Sequence, residues 1–160
     1  MATNKFEEIK SVIESKFEDS ILGFDIKGGR IMLKVNARAS HEVLSLLKDL
    51  GFDHLSDVTG IDYIRDGEFE IVYHLWSHAR KIRAMLKVRI SREAPILKSI
   101  ADLWPGAQIH ERENYELLGI DFEGNPDLSP LFLENWEEIP PLRKDFDTRE
   151  FVKRKYHDDK

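Results

Sequence analysis

The most informative feature of this 160-residue sequence is a residue type that it lacks, because it contains no cysteine. That absence excludes a disulfide framework, a thiolate zinc site, a cysteine nucleophile and an iron–sulfur cluster held by cysteine ligands. The side chains of this protein therefore cannot hold a redox cluster in the usual way.

The low number of basic residues and the lack of long apolar runs exclude further classes of function. Lys and Arg number 24 against 30 Asp and Glu, so the net charge of −6 argues against nonspecific nucleic-acid binding, although it permits a local basic patch. The sequence has no run of about 18 apolar residues, the minimum for a membrane span, and no hydrophobic segment of a signal peptide. We therefore expect a cytoplasmic protein that reaches a membrane only through a partner.

Hydrophobic residues make up 41% of the chain, and their spacing predicts an α+β fold. Two alternating runs around Gly28 and Gly29 predict a β-hairpin, since glycine suits a tight hairpin turn. A strand end with a turn at Gly60 is expected within residues 55–63. The full predicted order is helix 5–19, strands 21–27 and 31–35, helix 40–50, strands 55–63, 69–76 and 82–90, and helices 95–104 and 109–118. We assign residues 1–120 to one domain with helices packed on one face of a mainly antiparallel sheet.

Residues 121–160 are predicted to form an extended C-terminal arm. Four prolines interrupt any regular element between residues 121 and 145, yet the same stretch is rich in large apolar residues, which a disordered linker lacks. A structureless stretch of about 25 residues is uncommon inside a compact domain unless it binds something. We therefore expect the arm to cover a surface, either of its own domain or of a partner.

Several ionisable residues have spacings that invite a catalytic or metal-binding interpretation. His74 and His78 stand four apart, but on a strand four residues span roughly 13 Å, too far for one metal. Asp57, Asp62 and Asp66 surround a turn without the spacing of an EF-hand loop. We interpret these residues as ordinary strand and loop side chains.

The segment His110-Glu111-Arg112-Glu113 is also dense in ionisable groups. A carboxylate pair could serve acid–base chemistry or bind a metal, but on a helix Glu111 and Glu113 point about 200° apart. We predict that Arg112 pairs with Glu116 or with a partner, so ion pairing is favoured over catalysis. The sequence also has no phosphate-binding glycine loop, G-x-G-x-x-G or G-x-S-x-G elbow, and offers no assembled active site.

Residues 140–146, P-P-L-R-K-D-F, have the chemistry of an anchor. Two prolines favour an extended backbone, which presents Leu142 and Phe146 beside Arg143 and Asp145. Apolar insertion together with a guanidinium on a carboxylate is typical of such a contact. The alternative interpretation is a solvated C-terminal segment.

Three ordered motifs occupy the second half of the chain: E-R-E-N-Y-E-L-L-G-I at 111–120, F-E-G-N-P-D-L at 122–128 and P-L-R-K-D-F at 141–146. Together they closely resemble the signature of the respiratory complex I 30 kDa subunit family. That family includes the C subunit of bacterial NADH–quinone oxidoreductase and related subunits of membrane-bound hydrogenases and F420H2 dehydrogenases. Asn125 departs from the pattern, since the family usually has histidine there.

The resemblance implies a cofactor-free subunit with no catalytic or metal-binding residues of its own. It implies docking on the large catalytic-type subunit (the 49 kDa or hydrogenase-large-like protein) and on the neighbouring iron–sulfur small subunit, peripheral on the inner face of the cell membrane. The interface candidates carried over are Glu111, Arg112, Glu113, Tyr115, Gly119, Pro126, Asp127, Arg143, Lys144 and Asp145.

Two alternatives stay open at this point. One is a free-standing metal-dependent enzyme that uses His74, His78, Asp57 or Glu111. The other is a regulatory module that recognises a peptide through its arm. The electron donor and acceptor do not follow from the sequence, because a docking subunit touches neither.

Overall fold

The alternating runs of the first half of the chain build a five-stranded sheet. The computed structural model describes residues 2–157, and its main strands are β1 (Ile21–Lys27), β2 (Arg30–Val35), β3 (His54–Tyr63), β4 (Glu68–Ser77) and β5 (Ile82–Ser91). Their spatial order is β1-β2-β5-β4-β3, and all neighbours run antiparallel except β2 and β5, which run parallel. The predicted α+β class with a mainly antiparallel sheet is confirmed.

The predicted hairpin connects β1 and β2 through Gly28 and Gly29. Both glycines have positive φ angles, 58° and 71°, in the left-handed region that a side chain disfavours. Two consecutive left-handed residues give the turn a twist that matches the two flanking strands. The hairpin therefore depends on this glycine pair.

Helices cover one face of the sheet. They are α1 (Ala2–Phe17), α2 (Ser40–Asp49) and α3 (Ala107–Leu118). A fourth helix, α4 (Thr148–His157), lies within the arm. The first two contribute a helical-period stripe to the core: Ile9, Ile13, Val43, Leu44 and Leu47 are all fully buried. Sequence periodicity predicts α1, α2 and α3 but misses α4.

The strands alternate between a core face and an open face. Along β5, Leu86 and Val88 are fully buried, whereas Arg83 and Arg89 are exposed on the opposite side. This period of two is the signature of a sheet with one covered face. The outward residues form what we call the open face of the sheet.

The predicted helix over residues 95–104 is wrong. Residues 96–98 form the short strand β6 (Ile96–Lys98), which pairs in parallel with β7 (Asp121–Glu123). Leu97 is buried between two exposed neighbours, which is the period of a strand. A proline at the start of an element suits a strand as well as a helix, so Pro95 does not distinguish the two.

The compact core extends slightly beyond residue 120. Ile120 and Phe122 are buried, and Phe122 lies in β7. From residue 124 to residue 147 the chain has neither helix nor strand. The final residues of the predicted arm, 158–160, lie outside the described part of the chain.

Within residues 2–157, no helix combines the length and the apolar character that crossing a membrane requires.

Candidate partner interface

Helix α3 carries the longest of the three motifs and packs directly on the edge strand β3. A Cβ atom at Gly60 would lie 2.4 Å from Leu118 Cδ1 and 2.5 Å from Asn114 Oδ1. The Asn114 amide donates to the carbonyls of Val58 and His110, at 2.8 Å each. Gly60 therefore lies within a continuous strand and allows close approach of α3, so the predicted turn there is wrong.

Glu111 is fully buried on the core side of α3. Its carboxylate accepts hydrogen bonds from the Ser99 hydroxyl at 2.6 Å, the Ile100 backbone N–H at 2.8 Å and the Asn125 side-chain amide at 2.8 Å. Burial raises the pKa of Glu111, and these three hydrogen bonds partly oppose that rise. Glu111 therefore joins α3 to two connecting segments and has no exposed surface.

A second polar group lies near this carboxylate in the core. Tyr73 on β4 is fully buried, and its hydroxyl has no hydrogen-bond partner. Burial and the nearby charge of Glu111 both raise the pKa of Tyr73, so the phenol stays neutral. The pair is too deep to meet a substrate.

The P-L-R-K-D motif is attached to the core through a buried carboxylate. Asp62 on β3 receives two hydrogen bonds from the Arg92 guanidinium, at 2.7 and 3.0 Å, and one from the Lys144 backbone N–H at 2.7 Å. Arg92 also bonds Asp145 at 2.9 Å, and Asp145 accepts from Arg143 at 3.3 Å. Burial opposes ionisation of Asp145, but its backbone hydrogen bond and the two arginines prevail and lower its pKa. We call this network the arm latch.

The aromatic ring of Phe69 packs against two arginines of the same network. The guanidinium carbons of Arg92 and Arg143 lie 5.4 and 5.6 Å from the centre of the Phe69 ring. Such cation–π contacts are stronger where the charge is partly desolvated. The two arginines are mostly buried, with 13% and 21% of their side chains exposed.

The first half of the arm is held by the outer side of α3. The Glu116 carboxylate accepts from the backbone N–H groups of Phe132 at 2.9 Å and Leu133 at 2.7 Å. Arg112 donates to the carbonyls of Ser129 and Pro130. Arg112 therefore bonds the backbone of the arm and not Glu116, so the predicted Arg112–Glu116 pair is wrong. The reason is that both side chains satisfy backbone groups of a segment that has no secondary structure of its own.

The end of the arm folds back on itself. Trp136 lies 5.5 Å from Phe146 and 5.1 Å from Phe151 of α4, measured between ring centres. The indole N–H of Trp136 donates to the Ile139 carbonyl at 3.0 Å. These rings form a small satellite cluster on which α4 packs through Phe151. The helix begins at a cap, because the Asp147 carboxylate accepts from the N–H groups of Arg149 at 2.9 Å and Glu150 at 3.1 Å.

Although the arm packs on its own domain, it leaves large apolar side chains exposed. Tyr115, Phe132, Ile139 and Leu142 are exposed by 42%, 62%, 43% and 57%. Tyr115 lies in the C-terminal half of α3, and two of the others are attached beside it: Leu142 N–H bonds the Leu117 carbonyl, and Phe132 N–H bonds the Glu116 carboxylate. We call this set the arm surface.

The ten predicted interface residues have different environments. Glu111 is internal, whereas Arg112, Glu113, Gly119, Asp127 and Arg143 are half-buried, and Tyr115, Pro126, Lys144 and Asp145 are exposed. Gly119 ends α3 with a φ of 79°, and an added Cβ would lie 3.1 Å from Pro140. Hydrogen bonds from Ser129 lower the pKa of Asp127. Four of the ten take part in the hydrogen bonds that hold the arm, namely Arg112, Arg143, Lys144 and Asp145.

The residues named for metal chemistry are not brought together. The His78 ring lies 2.7 Å from Asp53, whereas His74 lies on the open face and Asp57 contacts His110 at 3.2 Å on the side of α3. Across the described residues, no three His, Asp or Glu side chains are grouped as a metal site. The free-standing metal enzyme therefore lacks an assembled site in this part of the chain.

Sequence reasoning missed the two residues that anchor the arm latch. The sequence pattern places Asp62 among loop carboxylates and does not single out Arg92, although both side chains are largely buried. Their 30-residue separation gives no local signal. A hint was available in the position of Asp62, which falls in the strand period on the core side, where an unpaired carboxylate is rare.

Comparison with known proteins gives consistent matches. A family model described as the respiratory-chain NADH dehydrogenase 30 kDa subunit matches residues 33–152. The C subunit of NADH-quinone oxidoreductase from Roseiflexus castenholzii is 38% identical over 138 residues, 83% of this chain and 79% of the relative. The C subunit of F420H2 dehydrogenase from Methanosarcina mazei is 38% identical over 150 residues, 88% of this chain and 92% of the relative.

Two solved structures share the fold. A chain in the structure of the membrane-bound sulfane sulfur reductase, an archaeal respiratory membrane complex, superposes with a TM-score of 0.83 at 30% identity, covering 94% of this chain and 90% of that one. The trypsin-resistant fragment 1–134 of Nqo5 superposes with a TM-score of 0.66 at 30% identity, covering 78% of this chain and 99% of the fragment.

Proposed function

The chain belongs to the respiratory-chain NADH dehydrogenase 30 kDa subunit family, and on that premise we propose that it is a cofactor-free docking subunit of a complex-I-like oxidoreductase. Its partners are the large catalytic-type subunit, of 49 kDa or hydrogenase-large-like class, and the neighbouring iron–sulfur small subunit. It contributes no reacting group and acts by holding these subunits in register.

The arm surface is the observation that carries this proposal. An arm packed only for the stability of its own domain would turn its large apolar side chains inward, whereas Phe132 and Leu142 are more than half exposed. Burying such a side chain contributes about 1.5–3 kcal/mol. Clustered exposed apolar residues with a polar rim mark protein interaction sites.

The surrounding polar residues have a supporting role in this proposal. Arg112 donates two hydrogen bonds to arm carbonyls, and Asp145 accepts one from Arg143 and one from Arg92. They therefore pre-organise the arm surface before the partner binds, which reduces the entropic cost of association. Tyr115 and Lys144 are free to contact the partner directly.

The proposed absence of a cofactor has a chemical basis. The sequence supplies no thiolate ligands, and the one fully buried carboxylate of α3, Glu111, is already occupied by three donors. We expect no stoichiometric metal or flavin on the purified chain, as measured by elemental analysis and visible absorption.

Localisation follows from assembly in this proposal. The chain is peripheral on the cytoplasmic face of the membrane because its partners are membrane-associated. In cell fractionation we expect it with the membranes when its partners are present and in the soluble fraction when they are absent.

The central experiment replaces Phe132 and Leu142 with aspartate in the tagged chain, co-expressed with the other subunits. Losing two apolar contacts and burying two carboxylates should weaken binding at least about a hundredfold. Co-purification of the large subunit should therefore fail, while the circular dichroism and melting temperature of the chain stay unchanged, because both side chains are exposed.

Leu22→Asp is the matched control, since Leu22 is 69% exposed on β1 at the other edge of the sheet. Its co-purification should equal that of the unmodified chain. If the arm variant retained the large subunit, or if Leu22→Asp lost it equally, the proposed docking surface would be wrong.

A further inference from the structure

The open face of the sheet carries rows of side chains that follow the strand register. One row crosses the whole sheet, because Lys27 pairs with Arg30, Arg30 with Arg83, Arg83 with Trp76 and Trp76 with His54. Side chains at paired positions point to the same face. Three cations, an indole and an imidazole therefore stand side by side at one end of the open face.

The opposite end of the same face is internally neutralised. Arg89 contacts the carboxylates of Asp66 at 3.1 Å, Glu68 at 2.9 Å and Glu70 at 3.2 Å, and Lys87 lies 3.5 Å from Glu70. Lys87 and Arg89 therefore take part in ion pairs within the chain itself. At this end of the open face, carboxylates of the same chain neutralise the cations of β5.

Arg30 and Arg83 form no ion pair with any carboxylate of the described residues. Both are exposed, and like charges directly opposite each other destabilise a sheet. The only charge-related contact of Arg83 in the described chain is with the Trp76 ring, at 5.8 Å. A destabilising juxtaposition in a chain of net charge −6 is expected where a partner supplies the counter-charge.

The same residues line a cleft of about 340 Å³. Its walls combine Arg30, Arg83, His54 and His74 with Trp76 and Met85. Met85 and its paired neighbour Met32 are half-buried beside the cleft, in a register row that continues to His74 on one side and to Asp25 on the other. Methionine suits a surface that adapts to a partner.

The chemistry of this cleft selects among anions. Bound phosphates are typically held by helix N-termini and backbone nests. Here the floor is formed by β2, β5 and β4, all internal strands whose backbone groups are used in the sheet. Recognition must therefore come from side chains alone. The arginine fork matches carboxylates and phosphates alike, so the lack of backbone donors on this floor is what favours a carboxylate.

We propose that this end of the open face binds an acidic segment of a partner subunit, whose carboxylates pair with Arg30 and Arg83 and whose apolar side chains cover Met32 and Met85. The inference rests on the proposed function only in requiring that the chain has partner subunits. The site lies on the face of the sheet opposite α3, so it makes the protein a two-sided adapter.

The test uses the isolated full chain and an octaglutamate peptide at low ionic strength, with binding followed by the Trp76 indole resonance in NMR. Replacing both Arg30 and Arg83 with glutamine should weaken binding at least about tenfold. The melting temperature of this variant should equal or exceed that of the unmodified chain, because the repulsion between adjacent arginines is removed.

The matched control replaces Lys87 and Arg89 of β5 with glutamine, which removes the same charge from the same face of the sheet at the neutralised end. Equal weakening in both double variants would mean nonspecific attraction and would overturn the inference. Tripolyphosphate binding that is tighter than octaglutamate binding, and lost in the Arg30 and Arg83 variant, would overturn the assignment to an acidic segment.

The Phe132 and Leu142 aspartate variant separates this inference from the proposed function. It should bind octaglutamate like the unmodified chain while failing to co-purify the large subunit. If the unmodified chain did not bind octaglutamate, the proposed site for an acidic segment would be wrong. That result would not bear on the arm surface, which is tested by co-purification.

Discussion

Replacing Glu111 with alanine is the sharpest test of the internal role that the structure gives this motif residue. The change removes the acceptor of three hydrogen bonds, from Ser99, Ile100 and Asn125. The Ser99 hydroxyl can rotate and the half-buried Asn125 amide can reach water, but the Ile100 N–H stays buried. A stranded donor costs about 1–3 kcal/mol, and the vacated side-chain volume adds to it.

We therefore expect Glu111→Ala to lower the free energy of unfolding by about 3 kcal/mol. For a chain of this size that corresponds to roughly 6–12 °C in melting temperature. Glu111→Gln keeps one oxygen and most of the volume, so its loss should be nearer about 1 kcal/mol. Urea denaturation at fixed pH measures both values, and Glu113→Ala on the same helix is the control, expected within about 0.5 kcal/mol.

The pH dependence gives a second measurement on the same residue. Because folding raises the pKa of Glu111 above its ordinary value of 4.5, the folded state binds more protons than the unfolded chain in that window. Stability from this residue is therefore complete at lower pH and decreases as the pH rises through the raised pKa. Glu111→Gln lacks this titration, so its loss relative to the unmodified chain should be larger at pH 4.5 than at pH 7.5.

Two results would refute this reasoning. One is a loss for Glu111→Ala no greater than that for Glu113→Ala, which would show that the three donors do not depend on the buried carboxylate. The other is a difference between Glu111→Gln and the unmodified chain that grows with rising pH, which would mean that the hydrogen bonds outweigh burial and lower the pKa of Glu111.

Three further predictions concern the attachment of the arm. Gly60→Ala should destabilise the fold by about 1–3 kcal/mol in urea denaturation, since the new Cβ overlaps two α3 side chains; an unchanged midpoint would contradict the close packing. Asp62→Ala should release the arm and cost about 3 kcal/mol, because the Arg92 guanidinium keeps only Asp145 as a carboxylate partner and the Lys144 N–H loses its acceptor. Limited proteolysis should then cut the arm, whereas Asp66→Ala, at an exposed pair, should leave it intact. Because the pKa of Asp145 is lowered below 3.8, its contribution is complete above that pH and lost as the pH falls further, which NMR of the arm amides should show.

The sheet was predictable because its strands are long and amphipathic. β5 has ten residues in strict alternation, and the hairpin is marked by the Gly28 and Gly29 pair. β6 and β7 have three residues each, too few for a period to be recognised, and each forms only because the other is beside it. The helix α4 has a local start signal in Asp147, which caps it, but its packing on Trp136 and Phe146 does not follow from the sequence pattern.

The candidate site was predictable only in part. The motifs of residues 111–120 and 141–146 identify the correct region, and the structure places them together at the C-terminal half of α3. Spacing on a helix shows that Glu111 and Glu113 face apart, but it cannot show which one is buried. That depends on Ser99 and Asn125, which reach Glu111 from two distant segments.

Local periodicity, ordered motifs and composition are enough to identify the class of the fold, the family and the absence of thiolate chemistry. The attachment of the arm to its own domain through Asp62 and Arg92, and the lack of an ion-pair partner for Arg30 and Arg83 on the open face among the described residues, become visible only in the folded chain. Both are consequences of strand register and burial, which bring residues of distant segments together and decide which charges lose their water. A linear pattern contains neither quantity.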